Sequence, residues 1–224
     1  MAFNIYLVRH GQTILNKYNR MQGWCDSPLT PKGMLDGHMA GQHLSHINFA
    51  RAFHSDTTRA EKTCYFLLQE NVSSPELPDP EELSAFREQS YGYFEGSDSD
   101  QAWLMVGAAH GCRSFHEMAA KYSMDDTKNF TKQADPFHNA EDAEEYWKRV
   151  DAGFDYIKGI AKDNDNILIV SHGTTIRSIA ARFDENVDQT VGPKNGSVTK
   201  LVMDGDQVKV AYFNQVDDEF NYGQ

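Results

Sequence analysis

Five residues carry side chains of the kinds that could move a phosphoryl group: Arg9 with His10, then Arg59, Glu88 and His172. An unprotonated imidazole can attack phosphorus and carry the group covalently, while a nearby carboxylic acid protonates the leaving oxygen. Guanidinium groups present planar, forked donors that match phosphate oxygens as charge spreads over them in the transition state. Two histidines, two fixed cations and one carboxylate therefore each have a distinct task. Taken alone, Arg9-His10-Gly11 is better explained as a strand end with a solvent-facing arginine and a histidine hydrogen-bonded to a loop. Only as a set do the five residues define a chemistry.

The elements around these residues account for their convergence. Phe3 to Val8 is a short apolar run rich in strand-favouring residues, and Arg9, His10 and Gly11 punctuate its end. Ile167 to Val170 repeats the design, an apolar run followed by Ser171, His172 and Gly173. Near-continuous apolar strands are buried on both faces, as in parallel sheets covered by helices. In such sheets ligands bind beyond the carboxyl ends of the strands. Phe49 to Ser55 reads as another strand, followed by a helix to about Gln69 with Arg59 in its first turn. Leu83 to Phe86 reads as a short strand leading into Arg87-Glu88.

The remaining segments are consistent with this plan. Thr30-Pro31 is a helix start, because threonine caps free amides and proline tolerates the first helical position, and that helix runs towards His46. The stretch from about 97 to 140 mixes glycines, aromatics and polar residues, with helical pieces near 100–106 and 114–122, and reads as an insertion. From Ala140 to Ile160, Tyr146, Trp147, Val150, Phe154 and Ile157 recur at helical spacing after an acidic start. Val198 to Met203 and Val208 to Phe213 form a hairpin around Asp204-Gly205-Asp206-Gln207, and the acidic tail from Asp217 is expected to be loosely ordered.

Composition narrows the partners. A chain of 224 residues, 40% hydrophobic, can bury one sizeable core, and no linker divides it. It reads as a single domain over 1–224 with an insertion at about 97–140. A net charge of -12 works against nucleic acid or an anionic membrane, so a phosphate site must be built locally from chosen cations. Three widely spaced cysteines, Cys25, Cys64 and Cys112, suit a reducing compartment. No secretory signal or membrane-length apolar run is evident, so a cytoplasmic protein is expected. His110, Cys112 and His116 lie close together but lack a second ligand pair at zinc spacing.

Several blocks carry a resemblance. Leu7-Val8-Arg9-His10-Gly11-Gln12-Thr13 with Asn16, then Gln22 to Thr30, then Ser55 to Ala60, then Glu88 before Gly92 and Glu95-Gly96, and finally Ser171-His172-Gly173 resemble, in order, the histidine phosphatase superfamily, the phosphoglycerate mutase-like family. The resemblance implies a three-layer α/β/α sandwich with a mostly parallel central sheet and a helical insertion over the active site. It implies His10 as the phosphorylated residue, Arg9, Arg59 and His172 as the phosphate pocket, and Glu88 as proton donor, with Glu95 as a rival. His172 would be a charged donor if the pocket keeps it protonated. It adds Asn16, Gln22, Gly23 and Gly173 as substrate contacts and implies no metal and no cofactor. Gly11 is expected to let the backbone approach phosphate.

That family contains phosphatases and mutases. Cofactor-dependent mutases resemble one another in an adjacent arginine pair in the insertion, which residues 97–140 lack; they hold Arg113, Lys121, Lys128 and Lys132 among six acidic residues. Gln89 to Gly96 also resembles the phosphatase branch. The expectation is a phosphomonoester hydrolase of a small metabolite with an apolar or modestly charged leaving group. The alternatives are a cofactor-dependent phosphoglycerate mutase and a non-catalytic module that senses a phosphorylated ligand. A homodimer is left open.

Overall fold

The computed structural model describes residues 1–216, so the acidic tail from Asp217 lies outside the described residues. In chain order the elements are β1 (Ala2–Arg9), α1 (Ile14–Lys17), α2 (Pro31–His43), β2 (Arg51–His54), α3 (Thr58–Gln69), β3 (Glu81–Glu82), α4 (Ser99–Ala108), α5 (Phe115–Lys121), α6 (Met124–Ala134), α7 (Ala143–Ile160), β4 (Asn166–Ser171), α8 (Gly173–Phe183), β5 (Val198–Asp204) and β6 (Gln207–Gln215). The six strands form one sheet in the order β3-β2-β4-β1-β5-β6. Its first four strands are parallel, and β5 and β6 complete it as an antiparallel hairpin. The sheet is mostly parallel and is covered by helices on both faces, as expected.

Strand alternation sorts the core into two layers. Phe3, Ile5, Leu7, Ile167 and Ile169 pack with Tyr146, Val150, Phe154 and Ile157 of α7 and Ile176 and Ile179 of α8. Tyr6, Val8, Leu168 and Val170 face the other way, against Ala40 of α2 and Ala60, Cys64, Leu67 and Leu68 of α3. Burial on both faces is why these strands read as unbroken apolar runs.

The pairing register places the chemistry. Arg9 of β1 lies opposite Ser171 of β4, and the His10 amide donates to the Ser171 carbonyl at 3.0 Å. The next residue on each strand is a histidine, so His10 and His172 leave adjacent parallel strands side by side.

Two expectations need correction. Residues 84–86 form a 3-10 turn, and the strand at this edge is only Glu81–Glu82. The tight turn swings Phe86 into the core, where it is fully buried, and so short an apolar run cannot distinguish the two conformations. The insertion has three helices instead of two pieces. The unforeseen one, α6, buries Thr127, Lys128 and Thr131 beside Met124, so polar residues interrupt its apolar stripe. Lys128 Nζ instead donates to the Met124 carbonyl and to Ser178 Oγ at 2.9 Å, tying the insertion to α8. Residues 97–140 share a third, smaller core with the segments before them, in which Met21, Tyr91, Phe94, Ala102, Val106 and Met118 are buried and Trp103, Phe115, Tyr122 and Phe130 pack on them.

Gly11 also makes a close backbone contact within the fold. A Cβ there would lie 2.0 Å from the Gly33 carbonyl oxygen, and one at Gly33 would lie 2.0 Å from the Gln12 carbonyl oxygen. The loop after β1 and the start of α2 therefore touch backbone to backbone. Gly33→Ala should cost about 2 kcal/mol or more, because no rotamer relieves a backbone clash. Gly159→Ala in α7, where nothing lies within 4 Å of the added Cβ, should be neutral or stabilising. Urea midpoints at constant slope compare the two; an unchanged midpoint for Gly33→Ala would contradict the contact.

Candidate active site

His10 is 3% exposed, and its hydrogen bonds define its tautomer. Nδ1 lies 2.8 Å from the Gly11 carbonyl oxygen, which can only accept, so Nδ1 carries the proton. The Nε2 lone pair accepts from Arg59 Nε at 3.3 Å. Burial, then the Arg59 and Arg9 cations, push the His10 pKa well below the ordinary histidine value, so the ring is neutral. Its free lone pair sits on the nitrogen facing the cation.

Arg59 lies in the first turn of α3, after the strand adjacent to β4, and it joins the two histidines. Its Nη2 donates to His172 Nδ1 at 3.1 Å and to the Gly23 carbonyl at 2.7 Å. Its Nη1 donates to the Cys25 carbonyl at 2.8 Å and to Asp26 Oδ1 at 3.0 Å. With Nδ1 accepting, His172 donates from Nε2 to Ser55 Oγ at 2.6 Å. Burial and the Arg59 charge push its pKa well below the ordinary value too. The pocket therefore does not keep His172 protonated, which removes its expected role as a charged donor in this state.

Glu88 is 5% exposed and sits at the amino end of α8. Its Oε1 accepts from the amides of Gln89 and Thr175 and from Thr175 Oγ1, and its Oε2 accepts from the Thr174 amide at 2.9 Å. Three donors fill Oε1, whereas Oε2 has one, leaving a lone-pair position able to take a proton. Arg149 of α7 fixes the backbone behind Glu88, donating to the carbonyls of Ala85, Arg87 and Glu88 while paired with Glu141.

A cavity of about 730 Å³ opens beside this cluster, and Arg9, Asn16, Gln22, Glu88 and Gly173 are among its lining residues. Arg9 donates to the Pro193 carbonyl, and its buried Nε has no partner. Asn16 and Gln22 meet around Thr13: Gln22 Oε1 accepts from Thr13 Oγ1 at 2.6 Å and from Asn16 Nδ2 at 3.5 Å. Gly23 does not line the cavity. The amides of Gly23, Trp24 and Cys25 all donate to Glu95, which also accepts from Tyr91, so Glu95 is a bracket for this loop and not a rival to Glu88.

Other residues join the site without a signal in the primary structure. Asn195 Nδ2 donates to the His10 carbonyl at 2.9 Å, reaching back across the sequence from the turn before β5. Arg177 on α8 also lines the cavity. Asp26 stood within the quoted Gln22 to Thr30 block, and Ser55 within the next. The thiols of Cys25 and Cys64 are both pushed up to about 12 by burial, so neither is a thiolate at neutral pH. Among the described residues no three or more His, Cys, Asp or Glu side chains gather to hold a metal ion.

The profile of the Histidine phosphatase superfamily (branch 1) covers residues 5–216, and the chain belongs to that superfamily. It is 30% identical to the 2,3-bisphosphoglycerate-dependent phosphoglycerate mutase of Nautilia profundicola over 84% of this chain and 86% of that protein. It is 35% identical to the fructose-2,6-bisphosphatase TIGAR of Mus musculus over 48% of this chain and 40% of that protein. The crystal structure of a phosphoglycerate mutase from Bacillus anthracis superposes with a TM-score of 0.87 at 35% identity, covering 95% of this chain and 93% of that one. Relatives thus include both mutases and phosphatases.

The depressed histidine pKa values have a direct consequence. A group whose folded pKa lies below its ordinary value stays unprotonated until the pH falls through the lower value. ¹⁵N NMR of the ligand-free protein at pH 6.5 should show His10 neutral with its proton on Nδ1, and His172 neutral with its proton on Nε2. Half-protonation of either ring at that pH would contradict the arrangement.

Proposed function

We propose that the protein is a phosphomonoester hydrolase that acts on a small phosphorylated metabolite through a phosphohistidine at His10. The observation that carries the reading is the His10 tautomer: the Nδ1–H bond to the Gly11 carbonyl leaves a neutral Nε2 lone pair beside a guanidinium. In the first step Nε2 bonds to phosphorus, the bond to the leaving oxygen breaks, and Glu88 gives that oxygen its proton. In the second, water attacks phosphorus, Glu88 takes the water's proton, and the P–N bond breaks to release phosphate. Entry of the phosphoryl group requires the Arg59 fork to exchange His10 and His172 for phosphate oxygens, so the cation meets charge as it develops.

Water as the acceptor is supported by the missing arginine pair in residues 97–140. The second reading, a bisphosphoglycerate-dependent mutase, uses the same residues with a second phosphoglycerate oxygen in place of water. Its support is the likeness to the Bacillus anthracis mutase over 95% of this chain. A purely ligand-sensing module is disfavoured because binding alone needs neither a poised nucleophile nor an acid. Among the described residues no helix is long and apolar enough to cross a membrane, and all three cysteines are free. We propose a cytoplasmic location, and the three free cysteines are its support.

A panel of phosphate esters, assayed with and without 2,3-bisphosphoglycerate, separates the readings. Release of inorganic phosphate independent of the bisphosphate is expected, and bisphosphate-dependent interconversion of phosphoglycerates would favour the mutase. His10→Ala should lower turnover roughly a thousandfold or more. Glu88→Gln should cost about a hundredfold or more on alkyl esters and less on aryl esters, whose leaving groups need no proton. Full activity of His10→Ala would overturn the mechanism.

A further inference from the structure

The tautomer of His10 rests on one carbonyl, that of Gly11, which belongs to a peptide unit whose other polar group is the Gln12 amide. A peptide unit is planar and rigid, with its N–H and C=O fixed in opposite directions. Whatever holds the Gln12 N–H therefore also aims the Gly11 C=O. The holder is a side chain from another element: Asp36 Oδ2, in the second turn of α2, accepts the Gln12 amide at 3.0 Å.

The fold brings this carboxylate to the loop by two close backbone approaches. Gly33, three residues before Asp36, touches the Gln12 carbonyl, and a Cβ added at Gly196 would lie 2.8 Å from the Asp36 carbonyl oxygen. Asp36 is buried, and its second oxygen, Oδ1, pairs with the exposed Lys32 at 2.7 Å. The neighbouring backbone groups have neutral partners. The Gly11 amide donates to Thr63 Oγ1 at 3.0 Å, and the Gln12 carbonyl accepts from the Thr30 amide at 2.9 Å. Asp36 is the one charged partner in this set, and it does not line the cavity beside Glu88. Any effect it has on the chemistry must pass through the peptide.

We infer that Asp36 is a positioning residue for the nucleophile: by accepting the Gln12 N–H it fixes the peptide plane whose carbonyl keeps the His10 proton on Nδ1. The inference deepens the proposed hydrolase reading and rests on it for the role of His10. Which ring nitrogen carries the proton is set by the bond the other makes. In the ligand-free site Arg59 enforces the same tautomer by donating to Nε2. Entry of phosphate turns that fork towards its oxygens, and the Gly11 carbonyl then remains as the hold on the ring. A ring that lost it could turn or carry its proton on Nε2, presenting an N–H to phosphorus in place of a lone pair.

The test combines NMR of the ligand-free protein with turnover of a simple aryl phosphate. A scalar coupling across the hydrogen bond between the Gln12 amide nitrogen and the Asp36 carboxyl carbon is expected in the unmodified protein. Its absence would overturn the proposal without any substitution, which covers the case in which Asp36→Ala fails to fold. In folded Asp36→Ala the His10 Nδ1 proton should exchange with solvent on the order of tenfold or more faster. Its kcat should fall by on the order of ten- to a hundredfold with KM little changed, because the contact aims the nucleophile and does not touch substrate. Asp36→Asn keeps an oxygen able to accept the same amide and should restore most of both. Lys32→Ala removes only the exposed ion pair and should change neither. Unchanged exchange and kcat in folded Asp36→Ala would overturn the proposal, as would an equal loss in Asp36→Asn or in Lys32→Ala. Failure of the hydrolase reading is seen separately, as absence of phosphate release by the unmodified protein.

Discussion

A guanidinium at 1% exposure is the constraint on which the site depends. Arg59 has five N–H donors, and each has an acceptor: His10, His172, Asp26 and the carbonyls of Gly23 and Cys25. A lysine could not span those directions, because its ammonium is a point donor on a flexible stem. The same charge lowers both histidine pKa values, and the acceptors it demands shape the loop from Gly23 to Asp26. Glu95 holds that loop from the other side by taking three of its amides. Arg59 thus links the nucleophile, the second histidine and the loop.

Much of this was legible in the primary structure because it follows from local pattern. Two apolar runs ending in His-Gly identified parallel strands, and the register Arg9 opposite Ser171 turns that repetition into neighbouring rings 5.1 Å apart. The cap at Thr30 marked the start of α2, and the acidic residues ahead of Tyr146 marked that of α7 to within a few residues. The parts that escaped depend on distant contacts. Helix α6 buries two threonines and a lysine beside Met124, so polar residues interrupt the apolar period of its inward face. Asn195 reaches the His10 carbonyl from a turn 185 residues further on, a contact no spacing rule anticipates. Arg149 was only one charge on an amphipathic helix until its fork met three carbonyls around Glu88.

Charge was the property most easily misjudged. Counting cations by segment made the insertion appear poor in them, yet a cavity draws its lining from every element around it. Arg20, Arg113 and Arg177 come from three separate segments and meet in one volume. The histidines illustrate a related point: a residue type suggests a donor, but burial beside a fixed cation makes both rings neutral acceptors. Neutrality suits a nucleophile, and it assigns the work of holding phosphate to the arginines.

The central claim is that His10 Nε2 carries the phosphoryl group between leaving alcohol and acceptor. The most direct measurement is a single-turnover reaction with a labelled ester, quenched in alkali at successive times, with the label located by mass spectrometry of the peptide containing His10. Label should rise and decay on His10, stable in alkali and lost in acid. Turnover with no label on His10, or with label on another residue, would contradict it.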